Sequence, residues 1–305
     1  MKLAAASDPV AEVLWYAGFA AIRPVVRSRV SRCVPGGGRR VLVIAPHPDD
    51  ETVGCAGTIL LHIMSGDTVC LAFVTDGSKS RAGGLDPGQM RRRREKEAQA
   101  AAGALRVNRY EWFGLMEGGW TFDQLRTPLL NLLRQVSPQI IYAPSRVDFH
   151  PEHHKVAHGL ARLLSGEGID LSHAILRVYQ LQVPLTPILT NQVVDCSSVS
   201  EKAEAALNVY ASQSANLGRA VRMRRYSALL YGFRKYGEEY WQMPAGAYCR
   251  LHCSPPDQWN TARFRGIRYR SFSDPLAYIS GIPERMHLRK ISESSLMRLD
   301  APCDT

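Results

Sequence analysis

Val41-Leu42-Val43-Ile44-Ala45-Pro46-His47-Pro48-Asp49-Asp50-Glu51 is the stretch whose reading decides the fold. Four branched apolar residues in a row predict a buried parallel strand, because a strand covered on both faces needs a continuous apolar run. Pro46 ends the run and Pro48 keeps the strand from continuing, so His47, Asp49, Asp50 and Glu51 crowd onto its carboxyl end. Thr52 to Met64 reads as the helix that follows. Strand, turn and helix together put the polar cluster in the crevice where open α/β sheets bind ligands. One imidazole and three carboxylates so close together are costly unless a cation sits among them. The residue types suit Zn²⁺, with Fe²⁺, Mn²⁺ or Co²⁺ as alternatives.

A catalytic zinc keeps about three protein ligands and an open position, so a second group is needed farther along the chain. Asp148-Phe149-His150-Pro151-Glu152-His153-His154 supplies it. It follows the apolar stretch Gln139 to Pro144 and opens a helix, with Pro151 in the first turn. The two strand ends converge if both strands lie in one parallel sheet. His154 and His158, at i and i+4, are a further pair whose spacing can bind zinc.

Between and beyond these motifs the chain alternates strand with helix. Thr68–Thr75 predicts a second buried strand, Met90–Leu105 a long helix and Tyr110–Phe113 a short strand. Leu125–Val136 is an amphipathic helix with Leu125, Leu129, Leu132, Leu133 and Val136 on one face. Ala174–Val183 and Gln192–Asp195 read as later strands; Val199–Tyr210 and Leu217–Tyr236 read as helices. The pattern predicts an α/β fold, a Rossmann-like, doubly wound, mostly parallel sheet flanked by helices.

His47-Pro48-Asp49-Asp50-Glu51, followed by His150-Pro151-Glu152-His153, resembles the two signatures of the LmbE-like (PIG-L-type) zinc N-deacetylases. Those enzymes hydrolyse acetamides on glucosamine-type sugars. Thr75-Asp76-Gly77, Arg94-x-x-Glu97, Gly114-Leu115-Met116-Glu117-Gly118, Ser212-Gln213 and Tyr236-Gly237-Glu238 resemble further markers of the family, the last two as late helical ones. Arg106 stands where glycine is usual, and Glu117 where aspartate is more frequent. The resemblance runs from about Arg39 to Trp241.

It implies a zinc-dependent hydrolase removing the N-acetyl group from an amino sugar, with His47, Asp50 and His153 holding one Zn²⁺ and Asp49 as general base. His150, when protonated, suits the stabilisation of the oxyanion. Arg94 as a sugar or anion contact and Glu117 as a sugar-hydroxyl acceptor are the substrate-binding residues implied. Glu51 reads as structural, complementing the helix dipole and orienting His47. Two rival functions are a zinc amidohydrolase acting on a non-sugar amide and a basic membrane- or nucleic-acid-binding protein with a vestigial metal site.

Composition bounds the partners. Of 305 residues, 38 are Lys or Arg and 28 Asp or Glu, a net charge of +10 that points to something anionic. An anionic membrane surface or a phosphorylated substrate qualifies. No nucleic-acid reader motif is present, so no specific nucleic acid is expected. Arg91 to Arg94 open a helix against its dipole, and a bound anion would relieve that cost. The seven cysteines are odd in number and scattered, so no disulfide framework is implied. Cys249-Arg-Leu-His252-Cys253 reads as thiols rather than a metal cluster. A cytoplasmic enzyme, peripheral at the membrane or free of it, is the expectation.

Residues 1–38 read as an apolar and basic helical extension with a Gly-rich linker, 39–245 as the catalytic domain and 246–305 as an irregular basic extension. The apolar run from Val10 to Ile22 falls short of the ~20 residues that span a bilayer. It fits a helix packed on the body of the protein or an interfacial helix with a basic flank on anionic lipid.

Overall fold

The computed structural model describes residues 9–166, 169–258 and 281–294. Its centre is one eight-stranded sheet. In chain order the strands are β1 (Ser31–Arg32), β2 (Arg40–Ala45), β3 (Thr68–Thr75), β4 (Arg109–Leu115), β5 (Ile140–Ala143), β6 (Ile175–Tyr179), β7 (Gln192–Asp195) and β8 (Gly237–Pro244). Across the sheet they run β1-β7-β8-β6-β5-β2-β3-β4. All neighbours pair in parallel except β8, which is antiparallel to β6 and β7. This is the mostly parallel, helix-flanked sheet that the sequence predicts.

Alternation along β2 shows why the run is wholly apolar. Leu42 and Ile44 enter one core with Leu125, Leu129, Leu133 and Leu160. Val41 and Val43 enter the other with Ile59, Ala98 and Ala101. The first core is covered by α4 (Phe122–Val136) and α5 (Pro151–Ser165), the second by α2 (Asp50–Met64), α3 (Pro87–Ala104) and α7 (Ser200–Asn208). β2 pairs directly with β5, Val41 opposite Ile140 and Val43 opposite Tyr142. The carboxyl ends carrying the two histidine motifs are therefore neighbours.

Helix α2 lies unusually close to the sheet. A Cβ at Gly54 would meet the Tyr179 ring at 2.6 Å, and one at Gly57 would meet Cys196 at 2.6 Å. Glycine alone allows that approach, which fixes where the helix N-terminus points.

Three stretches depart from expectation. Tyr236-Gly237-Glu238, read as a helical marker, opens strand β8. Helix α8 (Ser214–Tyr231) stops short of it because Gly232 turns left-handed at φ 73. The strand escapes pattern reading because Glu238 and Glu239 are both buried in it, each satisfied by partners distant in sequence. After the short helix α9 (Ala245–His252), the stretch read as irregular contains helix α10 (Ile282–Glu293). Its inward face holds Leu288 but also Arg285, whose guanidinium donates to the Pro184 carbonyl at 2.8 and 3.1 Å. An inward arginine hides the periodicity.

At the other edge, α1 (Pro9–Arg27) packs on α8 through Phe19 and Val26, with Phe19 tilted against Tyr226. The packed-helix reading describes that face; Val13, Ile22 and Val25 remain outward. Among the described residues, no helix is long and apolar enough to cross a membrane.

Candidate metal centre

Three ligand atoms meet at the carboxyl ends of β2 and β5. His47 Nδ1 lies 3.2 Å from Asp50 Oδ2 and 3.2 Å from His153 Nε2, and His153 Nε2 lies 3.3 Å from Asp50 Oδ2. A tetrahedral ion with bonds of about 2.0 Å has ligand atoms about 3.3 Å apart, so these side chains fit one. The nitrogens of His47, His150 and His153 form an overlapping, looser triad within 4.8 Å, and it too could hold a metal ion.

Each ligand ring is held from behind by a carboxylate. Glu117 Oε1 stands 3.4 Å from His47 Nε2, and Asp148 Oδ2 stands 3.1 Å from His153 Nδ1. Such contacts fix ring orientation and raise ligand basicity. Burial works against charge on His47, but the Asp50 and Glu117 carboxylates beside it outweigh it and take the group up to about 9. His153 is likewise pushed well up by Asp50 and Asp148 against the pull of burial. Asp50, despite burial, is held far below the ordinary carboxylate range by His153 and His47. The carboxylates thus favour positive charge at the place where a cation would balance them.

Asp49 sits between these groups on a strained backbone, at φ 125. Its N–H donates to Glu51 Oε2 at 3.0 Å, and Thr52 Oγ1 donates to its carbonyl at 2.8 Å. Glu51 in turn accepts from the Tyr210 hydroxyl at 2.7 Å, and burial pushes its carboxyl up to about 8. Glu51 was expected to orient His47. It grips Asp49 instead, and Glu117 faces His47, because the turn at φ 125 aims the Asp49 amide into the protein.

Arg94 alone of the arginine run is buried; Arg91, Arg92 and Arg93 are exposed. Its Nη2 donates to Asp49 Oδ1 at 3.1 Å, while Nε and Nη1 are buried with no partner among the described residues. Burial raises the Asp49 carboxyl above its ordinary value, and the Arg94 charge opposes the rise.

His150 caps α5, its Nδ1 accepting from the Glu152 N–H at 3.3 Å. Burial, then the charges on His153 and His47, hold it down to about 3. These effects favour the neutral ring. With Nδ1 accepting, its proton sits on Nε2.

The alternative pair is turned elsewhere. His154 Nε2 lies 2.5 Å from the Asp148 carbonyl, and His158 Nδ1 lies 2.7 Å from the His252 carbonyl. His252 is occupied by Tyr248 O and the Arg146 N–H, and Cys249 donates to Ala161 O, which leaves no metal cluster there.

The centre opens into a cavity of about 280 Å³ lined by His47, Asp49, Asp50, Arg94, Glu117, His150 and His153, together with Lys79, Ser80, Gln182 and Gln213. The seven residues singled out from sequence thus come together. Sequence reading left Asp148, Tyr210, Gln182 and Gln213 without roles. Asp148, at the head of the second motif, and Gln213, in the Ser212-Gln213 marker, carried a local signal.

Residues 42–164 match the family described as PIG-L: GlcNAc-PI de-N-acetylase. The chain is 28% identical over 136 residues to a probable N-acetyl-alpha-D-glucosaminyl L-malate deacetylase 2 of Bacillus anthracis, covering 42% of this chain and 60% of that one. It is 32% identical over 121 residues to a diacetylchitobiose deacetylase of Thermococcus kodakarensis, covering 38% and 45%. The chain spans about half the length of the curated relatives it matches. Among solved structures, N,N'-diacetylchitobiose deacetylase from Pyrococcus horikoshii shares the fold, with a TM-score of 0.58 at 22% identity over 81% of this chain and 97% of that one.

Proposed function

We propose that the protein is a metal-dependent N-deacetylase that hydrolyses the acetamide of an N-acetylated, glucosamine-type sugar. The observation that carries the reading is the His47–Asp50–His153 triangle, with edges of 3.2 to 3.3 Å, facing a polar cavity with Asp49 beside it. Two imidazoles and one carboxylate favour Zn²⁺, with Fe²⁺, Mn²⁺ or Co²⁺ as alternatives. His150 belongs to the looser triad and is assigned a different task. When bound, the ion supplies Lewis acidity at the amide carbonyl and lowers the pKa of water.

The chain's own groups do the rest. Asp49 takes a proton from the attacking water and returns it to the departing amine. Arg94 holds the Asp49 carboxylate, and its unpartnered Nε and Nη1 are donors for a sugar oxygen or a substrate anion. His150 Nε2–H donates to the carbonyl oxygen as negative charge builds on it. Glu117 orients His47, and its exposed edge in the cavity suits a sugar hydroxyl. The names of the two curated relatives above, both deacetylases of N-acetylglucosamine compounds, support the acetamide and the amino sugar.

The test is acetate release by metal-loaded protein from a panel of N-acetyl sugars and matched non-sugar acetamides. Turnover of the sugars above the non-sugar amides is expected. The reverse preference would establish the non-sugar amidohydrolase. Peripheral contact with an anionic membrane is a separate proposal, supported by exposed Val13, Ile22 and Val25 beside the exposed Arg27 and Arg29. Val13→Glu with Val25→Glu should then abolish co-sedimentation with anionic vesicles; no sedimentation of the parent protein defeats it.

A further inference from the structure

The catalytic cavity has a larger neighbour. A second hollow, of about 750 Å³, opens beside it and shares Lys79, Ser80 and Glu117 as a common wall. The two differ in chemistry. Imidazoles, carboxylates and a guanidinium line the first; the second adds the apolar Leu85, Pro87 and Met116 to Ser78, Arg81 and the shared wall. Met116 is 63% exposed, a large apolar side chain left to water at the edge of the site.

The hollow is preformed. Asp76 Oδ1 accepts from the N–H groups of both Ser78 and Glu117, each at 3.1 Å, which ties the loop after β3 to the loop after β4. The Lys79 N–H donates to Glu117 Oε2 at 3.0 Å, and the Gly118 N–H reaches Glu152 Oε1 on α5 at 2.9 Å. Loops fixed in this way keep an apolar surface open rather than collapsing over it. Ligand pockets start at about 300 Å³, so a 280 Å³ catalytic cavity has room for little beyond one sugar ring. Anything else the substrate carries must go next door.

We infer that this hollow is a second subsite for an apolar substituent on the amino sugar, so that the preferred substrate is an N-acetylglucosamine conjugate bearing an alkyl or aromatic group. The inference rests on the deacetylase reading. Because Lys79, Ser80 and Glu117 wall both spaces, a sugar with its acetamide beside Asp49 projects its substituent directly into the hollow. A second sugar ring is the competing occupant, since Ser78 and Arg81 also line the hollow, and a disaccharide is therefore one arm of the test.

The experiment compares methyl and octyl β-glycosides of N-acetylglucosamine with N,N'-diacetylchitobiose, measuring kcat/KM and, by calorimetry, affinity for metal-loaded protein. The octyl compound should exceed the methyl one by about tenfold or more, chiefly through KM, as expected if at least about two of its seven further methylenes are buried. Leu85→Asn with Met116→Asn should bring the octyl-to-methyl ratio towards one. Equal octyl and methyl values, or a preference for the disaccharide over the octyl glycoside, overturns the subsite. Inactivity towards every glycoside defeats the deacetylase reading instead, and the affinity ratio still judges the subsite.

Discussion

Two clusters of buried carboxylates touch helix α2, one at its N-terminus and one against its flank, and they are finished differently. On the flank, Glu238 Oε1 accepts from Arg224 Nε at 2.8 Å and the Gly57 N–H at 3.0 Å; Oε2 accepts from the Thr58 N–H at 2.8 Å and the Tyr240 hydroxyl at 3.0 Å. Arg224 also donates to the carbonyls of Thr52 and Val53. Every lone pair and most of the charge are answered within the chain. At the N-terminus, Asp50 shares one oxygen between two imidazoles 3.2 and 3.3 Å away, and neutrality needs protons or an ion. A buried charge with its own counter-charge is structure. A buried set that lacks one is a binding site.

The largest expected effect lies in the unfinished cluster. His153→Ala removes one corner of the triangle, so metal content should fall to background and turnover with it, as read by metal analysis and acetate release. Retained metal would move the site to other residues. Asp49→Asn should keep the metal and lose roughly 10²- to 10⁴-fold in turnover, the usual worth of a positioned acid–base group. Near-normal turnover would remove Asp49 from the mechanism.

The closed cluster should answer in stability instead. Arg224→Ala leaves Glu238 buried without its counter-charge, at a cost of about 3–5 kcal/mol in unfolding measurements. Metal content per folded molecule should not change; if it falls, the two clusters are coupled through α2. Smallest is Tyr210→Phe, which takes one hydrogen bond from Glu51 and should cost about 1 kcal/mol. The same variant should lower kcat slightly with KM constant, if the grip on the Asp49 amide matters to the chemistry.

The same division explains what could be read from the sequence. The unfinished cluster announces itself, since His47, Asp49 and Asp50 stand together after an apolar strand and His150 and His153 do so after another. Parallel pairing of β2 with β5 then brings them together without further information. The closed cluster was illegible. Glu238 and Glu239 look like surface residues until Arg224, Ser227, Thr190 and Tyr231 are known to surround them, and no spacing encodes those contacts. Tyr210 lies 159 residues from the Glu51 it supports. Arg285, which hides α10, meets Pro184 across 101 residues. Local chemistry could be read along the chain, whereas compensation between distant residues could not.

Asp49 has a consequence for anyone engineering this chain. At φ 125 its backbone suits glycine, which occupies that region without steric penalty. Asp49→Gly would relieve that strain and remove the proposed base, but it would also strip the buried Arg94 guanidinium of the carboxylate it donates to at 3.1 Å. Thermostability screens on this chain need an activity gate at that codon, because there an unstrained backbone and the proposed reaction ask for different amino acids.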